Sequence, residues 1–267
     1  MAGGKKRLAT CHESRVTLLM HRFYLPPGST RGDSLRLDGR EAHHALQVLR
    51  LKRGELVTVL DGVGNEFLCA VENSSRHAVT LAVSLKYFTP PPPCSITLLQ
   101  ALPRGKIIES IIQKAVELGA RRIVPLLTEH VVTRLDDRDA ADKRAKWQQV
   151  AIEAIKQCGA AWLPEIQAPM TMEQYLARKE KFDLSLVGSL QKNRRHPRDC
   201  FLEFQMQHKR LPQSVGVWIG PEGDFTPDEL KAIEASGTLP ISLGRLVLRV
   251  ETAAIYSLSI LNYELNQ

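Results

Sequence analysis

Several features that would point to a particular class of protein are missing from this sequence. The five cysteines, Cys11, Cys69, Cys94, Cys158 and Cys200, are odd in number and include no Cys-x-x-Cys pair. This pattern favours a reducing compartment over a disulfide scaffold or a zinc site. No apolar run approaches the length of a membrane-spanning helix. No Gly-x-Gly-x-x-Gly follows a strand-like segment, which excludes the usual dinucleotide fingerprint.

A pair of histidines and one cysteine are weak candidates for a metal site and for a nucleophile. His43 and His44 are adjacent, so on a helix they point in different directions and cannot form an i, i+4 metal pair. We expect no metal, with one histidine packed or capped and the other free to contact a binding partner. Cys158 lies in a Gln-Cys-Gly setting after a predicted helix, which favours a packed small residue over a nucleophile.

The composition is that of a globular protein with a basic surface. The 267 residues are 43% hydrophobic and 24% charged, enough for two modest domains or one large one. Lys and Arg number 36 against 29 Asp and Glu, a net charge of +7. This excess favours a polyanionic partner.

Residues 1–19 stand apart from the rest. Lys5, Lys6 and Arg7 are basic, but Val16–Met20 is too short and interrupted for a secretory signal. An organellar transit peptide, a tag remnant, an upstream start and a disordered arm all stay open. We expect a disordered extension, folding from Met20, and a cytoplasmic protein.

The next segment predicts a small, β-rich domain. Four stretches have strand-like apolar content, around a short helix from about Arg40 to Leu49: Leu35–Leu37, Leu56–Leu60, Phe67–Val71 and Val79–Leu85. Turns are expected at Asp61-Gly62 and at Asn73–Ser75. The proline run Thr89–Pro93 then favours a semi-rigid spacer, which places the domain boundary there.

The second segment predicts a β-α-β unit with parallel strands. Ser95–Ala101 is followed by isoleucines at helical spacing, then by Gly119 and the strand Arg122–Leu127. Pro125 in that strand indicates an edge position or an irregularity. A helix over 139–157 and a strand over 182–187 come next.

Two strands near the carboxyl end are each followed by a glycine-containing loop. Val215–Ile219 leads into Gly220–Gly223, and Leu239–Leu243 leads into Gly244. Such loops let the backbone approach a ligand closely, although tight connections in an ordinary α/β domain remain the alternative. After the first loop, Thr226, Pro227 and Glu229 predict a helix start with a capping box.

Several motifs together resemble one family. The runs WIGPEGDFTPDEL and ISLGRLVLRVETAAI, with HHALQVLRLKRG and RGKIIESIIQKAVELG upstream, resemble the SPOUT-class ribosomal RNA methyltransferases that methylate uridine N3 in small-subunit ribosomal RNA. The resemblance covers most of the chain from Met20. It implies an α/β fold in which a SPOUT domain with a parallel sheet and a trefoil knot (95–267) follows a PUA-like β-barrel (20–88) and a proline-rich linker (89–94).

The resemblance also implies ligands and partners. It implies S-adenosylmethionine as cofactor, ribosomal RNA or the small ribosomal subunit as substrate, and a homodimer formed through the apolar last helix. The cofactor loops map to Val187, Gly188, Ser189, Ile219, Gly220, Pro221, Glu222, Gly223, Ser242, Leu243, Gly244 and Leu248.

Charged residues beside these loops are candidates for the chemistry. Arg249 would orient the base or stabilise negative charge, or pair structurally with Glu251, and Glu222 would contact the cofactor or cap local amides. The candidate RNA contacts are Arg22, Arg36, Arg50, Lys52, Arg53, Lys192, Arg194, Arg195 and Arg198.

Some positions depart from the family pattern and leave other functions open. Asp224, Ala160 and Leu246 stand where the family commonly has glycine or arginine. Two alternatives therefore remain: a non-catalytic RNA-binding or assembly factor, and a SPOUT enzyme that methylates a ribose 2′-oxygen.

Overall fold

The structure is a computed structural model that describes residues 20–129 and 136–266. The expectations for residues 1–19, Cys11 included, lie outside the described residues. The strands are β1 (Arg22–Tyr24), β2 (Ser34–Leu37), β3 (Leu56–Leu60), β4 (Asn65–Ser74), β5 (Val79–Phe88), β6 (Ser95–Ala101), β7 (Arg122–Leu127), β8 (Glu165–Ile166), β9 (Met170–Thr171), β10 (Leu184–Gly188), β11 (Ser214–Ile219) and β12 (Leu239–Ile241). The helices are α1 (Gly39–His43), α2 (Ile107–Glu117), α3 (Asp137–Cys158), α4 (Met172–Leu176), α5 (Pro197–His208), α6 (Pro227–Ala235) and α7 (Val250–Leu265).

The first sheet contains five strands in the order β1-β3-β4-β5-β2. Successive side chains of a strand point to opposite faces of the sheet. In β2, Leu35 and Leu37 are therefore buried while Ser34 and Arg36 are exposed. Two register shifts lengthen the β4–β5 ladder, and Ser74 pairs with Val79. The turn expected at Asn73–Ser75 is therefore displaced toward residues 75–78. The predicted helix begins as α1 and continues as a π turn over His44–Val48.

The second sheet is parallel, as the β-α-β pattern predicts, with the order β12-β10-β11-β6-β7-β8. β7 is not an edge strand, because it pairs with β6 on one side and with β8 and β9 on the other. On the second side, β7 pairs through Arg122 and Ile123 with β8 and through Leu126 and Leu127 with β9, so Pro125 falls in the gap between the two pairings. The proline is thus accommodated as an irregularity where no ladder bond needs its missing N–H.

Helices cover both faces of this sheet. α2, α3, α5 and α7 pack on one face, and α4 and α6 pack on the other. α7 runs antiparallel to β6, because the Asn266 side chain after α7 accepts a hydrogen bond from the Cys94 amide before β6 (3.2 Å). Cys158, at the end of α3, is exposed rather than packed as expected. Its immediate surroundings still desolvate the thiol and raise its pKa, which disfavours a nucleophilic thiolate.

No helix within the two described stretches is long and apolar enough to cross a lipid bilayer.

Polar contacts join the first sheet to α3. Lys156, whose side chain is 7% exposed, donates to Glu41 of α1 at 2.9 Å and to Glu153 at 3.3 Å. Arg22 of β1 donates to the Gln157 carbonyl at 3.1 Å, at the end of α3. A cation at a helix C-terminus complements the helix dipole. Arg22 is therefore used at this junction between the two sheets rather than presented freely to RNA.

Removing one member of the buried ion pair should weaken the folded state. We expect Glu41→Ala to lower the free energy of unfolding by about 2 kcal/mol, because Lys156 keeps only the half-exposed Glu153 as a partner. The double variant Glu41→Leu/Lys156→Met should recover most of that loss, because no buried charge remains unpaired. Equilibrium urea unfolding measures both. A single variant as stable as the wild type would contradict this account.

Candidate cofactor site and active site

Three neighbouring strands deliver their following loops to one place. β12, β10 and β11 are adjacent and parallel, so their carboxyl ends meet at the same edge of the sheet. At this edge one cross-strand row contains Ile241, Gly188, Ile219, Gln100 and Pro125. The loops that follow are those singled out in the sequence. Ligands of open α/β sheets bind at such carboxyl edges.

Gly188 lies between two aliphatic side chains. A Cβ placed on Gly188 would lie 3.2 Å from Leu243 Cδ1 and 3.6 Å from Ile219 Cδ1. The next residue, Ser189, is buried, and its amide donates to the Ile241 carbonyl at 3.0 Å. Its hydroxyl accepts from the Gln191 amide at 3.1 Å. The first loop is thus fixed in place with a bare backbone surface at Gly188.

The second loop, residues 219–223, closes as a tight turn. The Asp224 amide donates to the Pro221 carbonyl at 3.0 Å. A Cβ on Gly220 would lie 3.0 Å from Asp224 Oδ1, so this position needs a glycine. Glu222 Oε1 accepts from the Arg104 amide at 2.9 Å, which ties the turn to the loop after β6. Of the two roles considered for Glu222, the structure shows the capping of a local amide.

The helix start after this loop is as predicted. Thr226 and Glu229 form a reciprocal capping box, with Pro227 in the first turn. Glu229 Oε1 also accepts from the Glu129 amide at 2.8 Å, at the end of the segment that follows β7. One carboxylate therefore fixes the start of α6 and a loop on the same edge of the sheet.

The third loop, residues 242–248, is open to solvent. Its first residue is held because the Ser242 amide donates to the Arg195 carbonyl at 2.8 Å. Gly244 has a φ of +115°, which favours glycine. Leu246 and Val247 are each 78% exposed. Within the described residues, these two aliphatic side chains are thus largely unpacked.

Arg249 follows this loop as the N-cap residue of α7. Within the described residues its exposed guanidinium makes no hydrogen bond or ion pair, and the pairing with Glu251 considered above is not formed. Glu251 lies in the first turn of α7, where a carboxylate complements the helix dipole. Arg249 is therefore a cation without an ion pair among the described residues, at the point where the third loop leads into α7.

Two polar residues at this edge were not predicted as site residues. Asp224 adopts a φ of +60°, and burial raises the pKa of its carboxyl. Gln100 is fully buried, and its Nε2 donates to the Ala101 carbonyl at 2.9 Å while its Oε1 has no partner among the described residues. The sequence offered one indication of Gln100, because it places a side-chain amide at an inward-facing position of an otherwise largely apolar strand.

One cavity of about 450 Å³ lies at the opposite edge of the sheet, near Ser185 and Leu239. Arg195 and Glu203 in its wall pair with each other, as do Tyr175 and Glu180. The strand ends around Gly188 remain the better candidate site, because three adjacent strands bring their following loops together there.

The candidate RNA contacts divide into free and occupied cations. Arg36 pairs with Asp38, Arg194 donates to the Leu190 carbonyl, and Arg195 pairs with Glu203. The exposed cations without such partners are Arg50, Lys52, Arg53, Lys192 and Arg198. Of the two histidines, His44 packs edge-on against Phe23, and His43 is exposed.

The sequence patterns of two known domains match this chain. An RNA methyltransferase domain matches residues 90–262, and an RNA methyltransferase PUA domain matches residues 37–84. The chain belongs to the RNA methyltransferase family. Its PUA-like first domain and its parallel-sheet methyltransferase domain, both expected from the resemblance, are confirmed.

Individual members of this methyltransferase family are similar over nearly the whole chain. The ribosomal RNA small subunit methyltransferase E of Synechocystis is 30% identical over 92% of this chain and 78% of its own length. A Legionella pneumophila methyltransferase, solved in complex with the cofactor SAM, is 32% identical with a TM-score of 0.81, and the match covers 92% of this chain and 98% of that one.

A third relative agrees with these two. The ribosomal RNA small subunit methyltransferase E of Neisseria gonorrhoeae, bound to S-adenosyl methionine, is 27% identical with a TM-score of 0.80, over 92% of this chain and 98% of that one. The resemblance to small-subunit ribosomal RNA methyltransferases is thus confirmed. So is S-adenosylmethionine as the cofactor of this methyltransferase family.

Proposed function

We propose that this protein methylates N3 of a uridine in small-subunit ribosomal RNA and takes the methyl group from S-adenosylmethionine. The convergence of three strand-end loops around Gly188, in a chain of this family, carries the proposal. When bound, the cofactor supplies an electrophilic methyl group on its sulfonium. The site fits such a ligand, because it combines a glycine backbone at Gly188 with the aliphatic side chains of Ile219 and Leu243, in a place that a side chain on residue 188 would crowd.

Three backbone segments would hold the cofactor, namely residues 187–189, 219–223 and 242–244, with Leu248. The exposed side chains of Leu246 and Val247 are available to cover it. Excluding water in this way strengthens electrostatic interactions at the reacting atoms.

Arg249 is assigned to the target base. As the methyl group passes from the sulfonium to N3, S-adenosylhomocysteine leaves and the N3 proton passes to solvent water, so negative charge develops on the uracil ring when that proton departs. An unpaired guanidinium at the amino end of α7, with the helix dipole behind it, is suited to stabilise that charge. Glu222 keeps the second loop in position through the Arg104 amide and takes no part in the proton transfer.

The free cations after β10 should contact the RNA backbone. We expect Lys192→Ala/Arg198→Ala to weaken RNA binding about three- to tenfold near 0.1 M salt and to reduce the slope of log affinity against log salt by about 1.4. Cofactor affinity should not change, because both side chains point into solvent. Filter binding over a salt series tests this, with Lys231→Ala on α6 as control. Equal loss of RNA and cofactor affinity would contradict the assignment.

We also infer a homodimer formed through α7. On one side of this helix Ala254, Leu258 and Leu261 are buried. On the other side Tyr256 and Tyr263 are 46% and 69% exposed. The described residues of one chain therefore leave part of this apolar helix uncovered. Sedimentation should give twice the chain mass of 29.9 kDa, and a monomer at micromolar concentration would refute the dimer.

The trefoil knot implied by the resemblance stays a prediction. An experimental chain trace through residues 187–250 would test it.

Mass spectrometry of nucleosides tests the proposed reaction. Unmodified small-subunit ribosomal RNA, naked and as the assembled subunit, is incubated with the protein and S-adenosylmethionine and then digested. The proposal predicts 3-methyluridine. A ribose-methylated nucleoside would support the 2′-oxygen alternative. No product, together with no calorimetric affinity for the cofactor, would leave a non-catalytic RNA-binding factor.

A further inference from the structure

An aromatic side chain is exposed at the point where the two domains meet. Phe88, the last residue of β5, is 60% exposed. β5 pairs with β2 only through residues 79–82, so among the described strands its final residues have β4 as their single neighbour. The Phe88 ring lies edge-on to Trp162, with the ring centroids 6.3 Å apart. One exposed apolar side chain is ordinary on a protein surface, so its neighbours decide whether Phe88 can bind a ligand.

The indole next to Phe88 is fixed from several sides. Trp162 Nε1 donates to the Thr89 carbonyl at 2.9 Å. The Thr89 amide donates to the Gly64 carbonyl at 2.8 Å, and the Gly64 amide donates to the Ala161 carbonyl at 2.9 Å. A Cβ on Gly64 would lie 2.8 Å from both Phe88 Cε2 and Trp162 Cζ2. Both rings are thus held in place before any ligand binds, which lowers the entropic cost of binding.

An arginine without an acceptor lies on the same indole. The Arg121 guanidinium stacks over the Trp162 ring, 4.4 Å from its centroid. Within the two described stretches it forms no ion pair and no hydrogen bond, and its Nη1 is enclosed without a partner. Burial lowers the pKa of this guanidinium, as expected for a cation with no carboxylate beside it. The rest of the side chain is partly exposed, so an anionic group can reach it.

An RNA nucleotide carries the two groups that complement this cluster. The flat face of a base stacks on aromatic rings, and a phosphate pairs with an arginine guanidinium. Only an unpaired nucleotide can present that face, because neighbouring base pairs cover it in a duplex. We propose that Phe88, Trp162 and Arg121 form a binding site for an unpaired nucleotide of RNA, with the base on Phe88 and the phosphate on Arg121.

This nucleotide site is separate from the loops assigned to the cofactor. Arg121 directly precedes β7 and Trp162 precedes β8, so the cluster lies at the amino-terminal edge of the parallel sheet. The loop after Gly188 lies at the carboxyl edge. The nucleotide site therefore holds the RNA and takes no part in the methyl transfer. It rests on the proposed function only in that the partner is RNA.

Filter binding with a single-stranded RNA and a duplex of equal length tests the assignment. We expect Phe88→Ala to weaken the single strand about ten- to hundredfold and to leave the duplex within about twofold of the wild type. Phe88→Tyr keeps a ring and should restore single-strand binding to within about threefold. Tyr87→Ala is the matched control, because Tyr87 is 48% exposed on the opposite face of the strand. Unchanged single-strand affinity of Phe88→Ala, or equal loss of both RNAs, would overturn the proposal.

A salt series separates the phosphate contact from the stacking contact. Arg121→Gln should reduce the slope of log affinity against log salt by about 0.7 for the single strand, because one phosphate contact is lost. Phe88→Ala should leave this slope unchanged, because stacking on a neutral ring releases no counterions. A wild-type slope for Arg121→Gln would contradict the assignment of the phosphate.

Cross-linking of the wild-type protein gives a result that needs no variant. RNA containing 4-thiouridine is cross-linked to the protein, and the modified peptides are identified by mass spectrometry. A cross-link in the peptide that contains Phe88 is expected. Cross-links confined to residues 50–53 and 192–198 would overturn the nucleotide site.

Kinetics distinguish a failure of this inference from a failure of the proposed reaction. Phe88→Ala should raise the KM for RNA and keep the wild-type kcat for 3-methyluridine formation, because the site only holds the RNA. A lowered kcat with unchanged KM would overturn the nucleotide site. If the wild type formed no methylated nucleoside while Phe88→Ala still weakened single-strand binding, the proposed reaction alone would be overturned.

Discussion

Replacing Gly188 with valine should abolish cofactor binding while leaving the chain folded. The first added carbon would already lie 3.2 Å from Leu243 Cδ1, and the branches beyond it would fill the space between Leu243 and Ile219. Valine is favourable at a strand end, so β10 should persist. We expect the affinity for S-adenosylmethionine to fall by more than about a hundredfold, because a ligand cannot share space with a side chain.

Isothermal titration calorimetry measures this loss, with circular dichroism as the check of folding. Gly28→Val is the matched control, because a Cβ at Gly28 meets nothing within 4 Å. It should bind the cofactor as the wild type does. If Gly188→Val kept wild-type affinity, the loop after β10 would not line the cofactor site.

The second large effect concerns Arg249. We expect Arg249→Ala to lower kcat by about a hundred- to thousandfold, because the cation that stabilises negative charge on the base is lost. The helix start should survive, since the Arg249 side chain makes no capping hydrogen bond. Affinity for S-adenosylmethionine should stay within about threefold of the wild type, as the guanidinium is not assigned to the cofactor.

Single-turnover kinetics on ribosomal RNA separate this role from binding. Arg249→Lys should recover part of the rate, because it restores the charge without the planar guanidinium. Arg138→Ala, an exposed arginine on α3, should behave as the wild type. A variant with wild-type kcat and weakened RNA binding would show that Arg249 only contacts the RNA backbone.

The architecture was largely accessible from the sequence because local signals were strong. The ranges predicted for β3, β6 and β7 match the structure residue by residue, since each is a compact apolar run with clear turn residues at its ends. The capping box at Thr226 was equally local. The lengths of β4 and β5 were underestimated because their extension depends on register shifts between strands, which no single strand reveals.

The site was predictable where it consists of backbone. A glycine after a strand indicates that other atoms come close to the backbone there, whichever side chains they belong to. Gly188 and Gly220 could therefore be found from the sequence. Contacts between residues far apart in the sequence could not be predicted in this way. Glu222 holds the Arg104 amide, and Arg22 holds the end of α3, 135 residues away in sequence. Such pairings follow from tertiary packing and not from local pattern.

A crystal structure of the protein with bound S-adenosylmethionine tests the central claim most directly. The account predicts the ligand against the backbone of residues 187–189, 219–223 and 242–244. A cleft filled by side chains of this chain, or a ligand seated at the opposite edge of the sheet near Ser185, would contradict it.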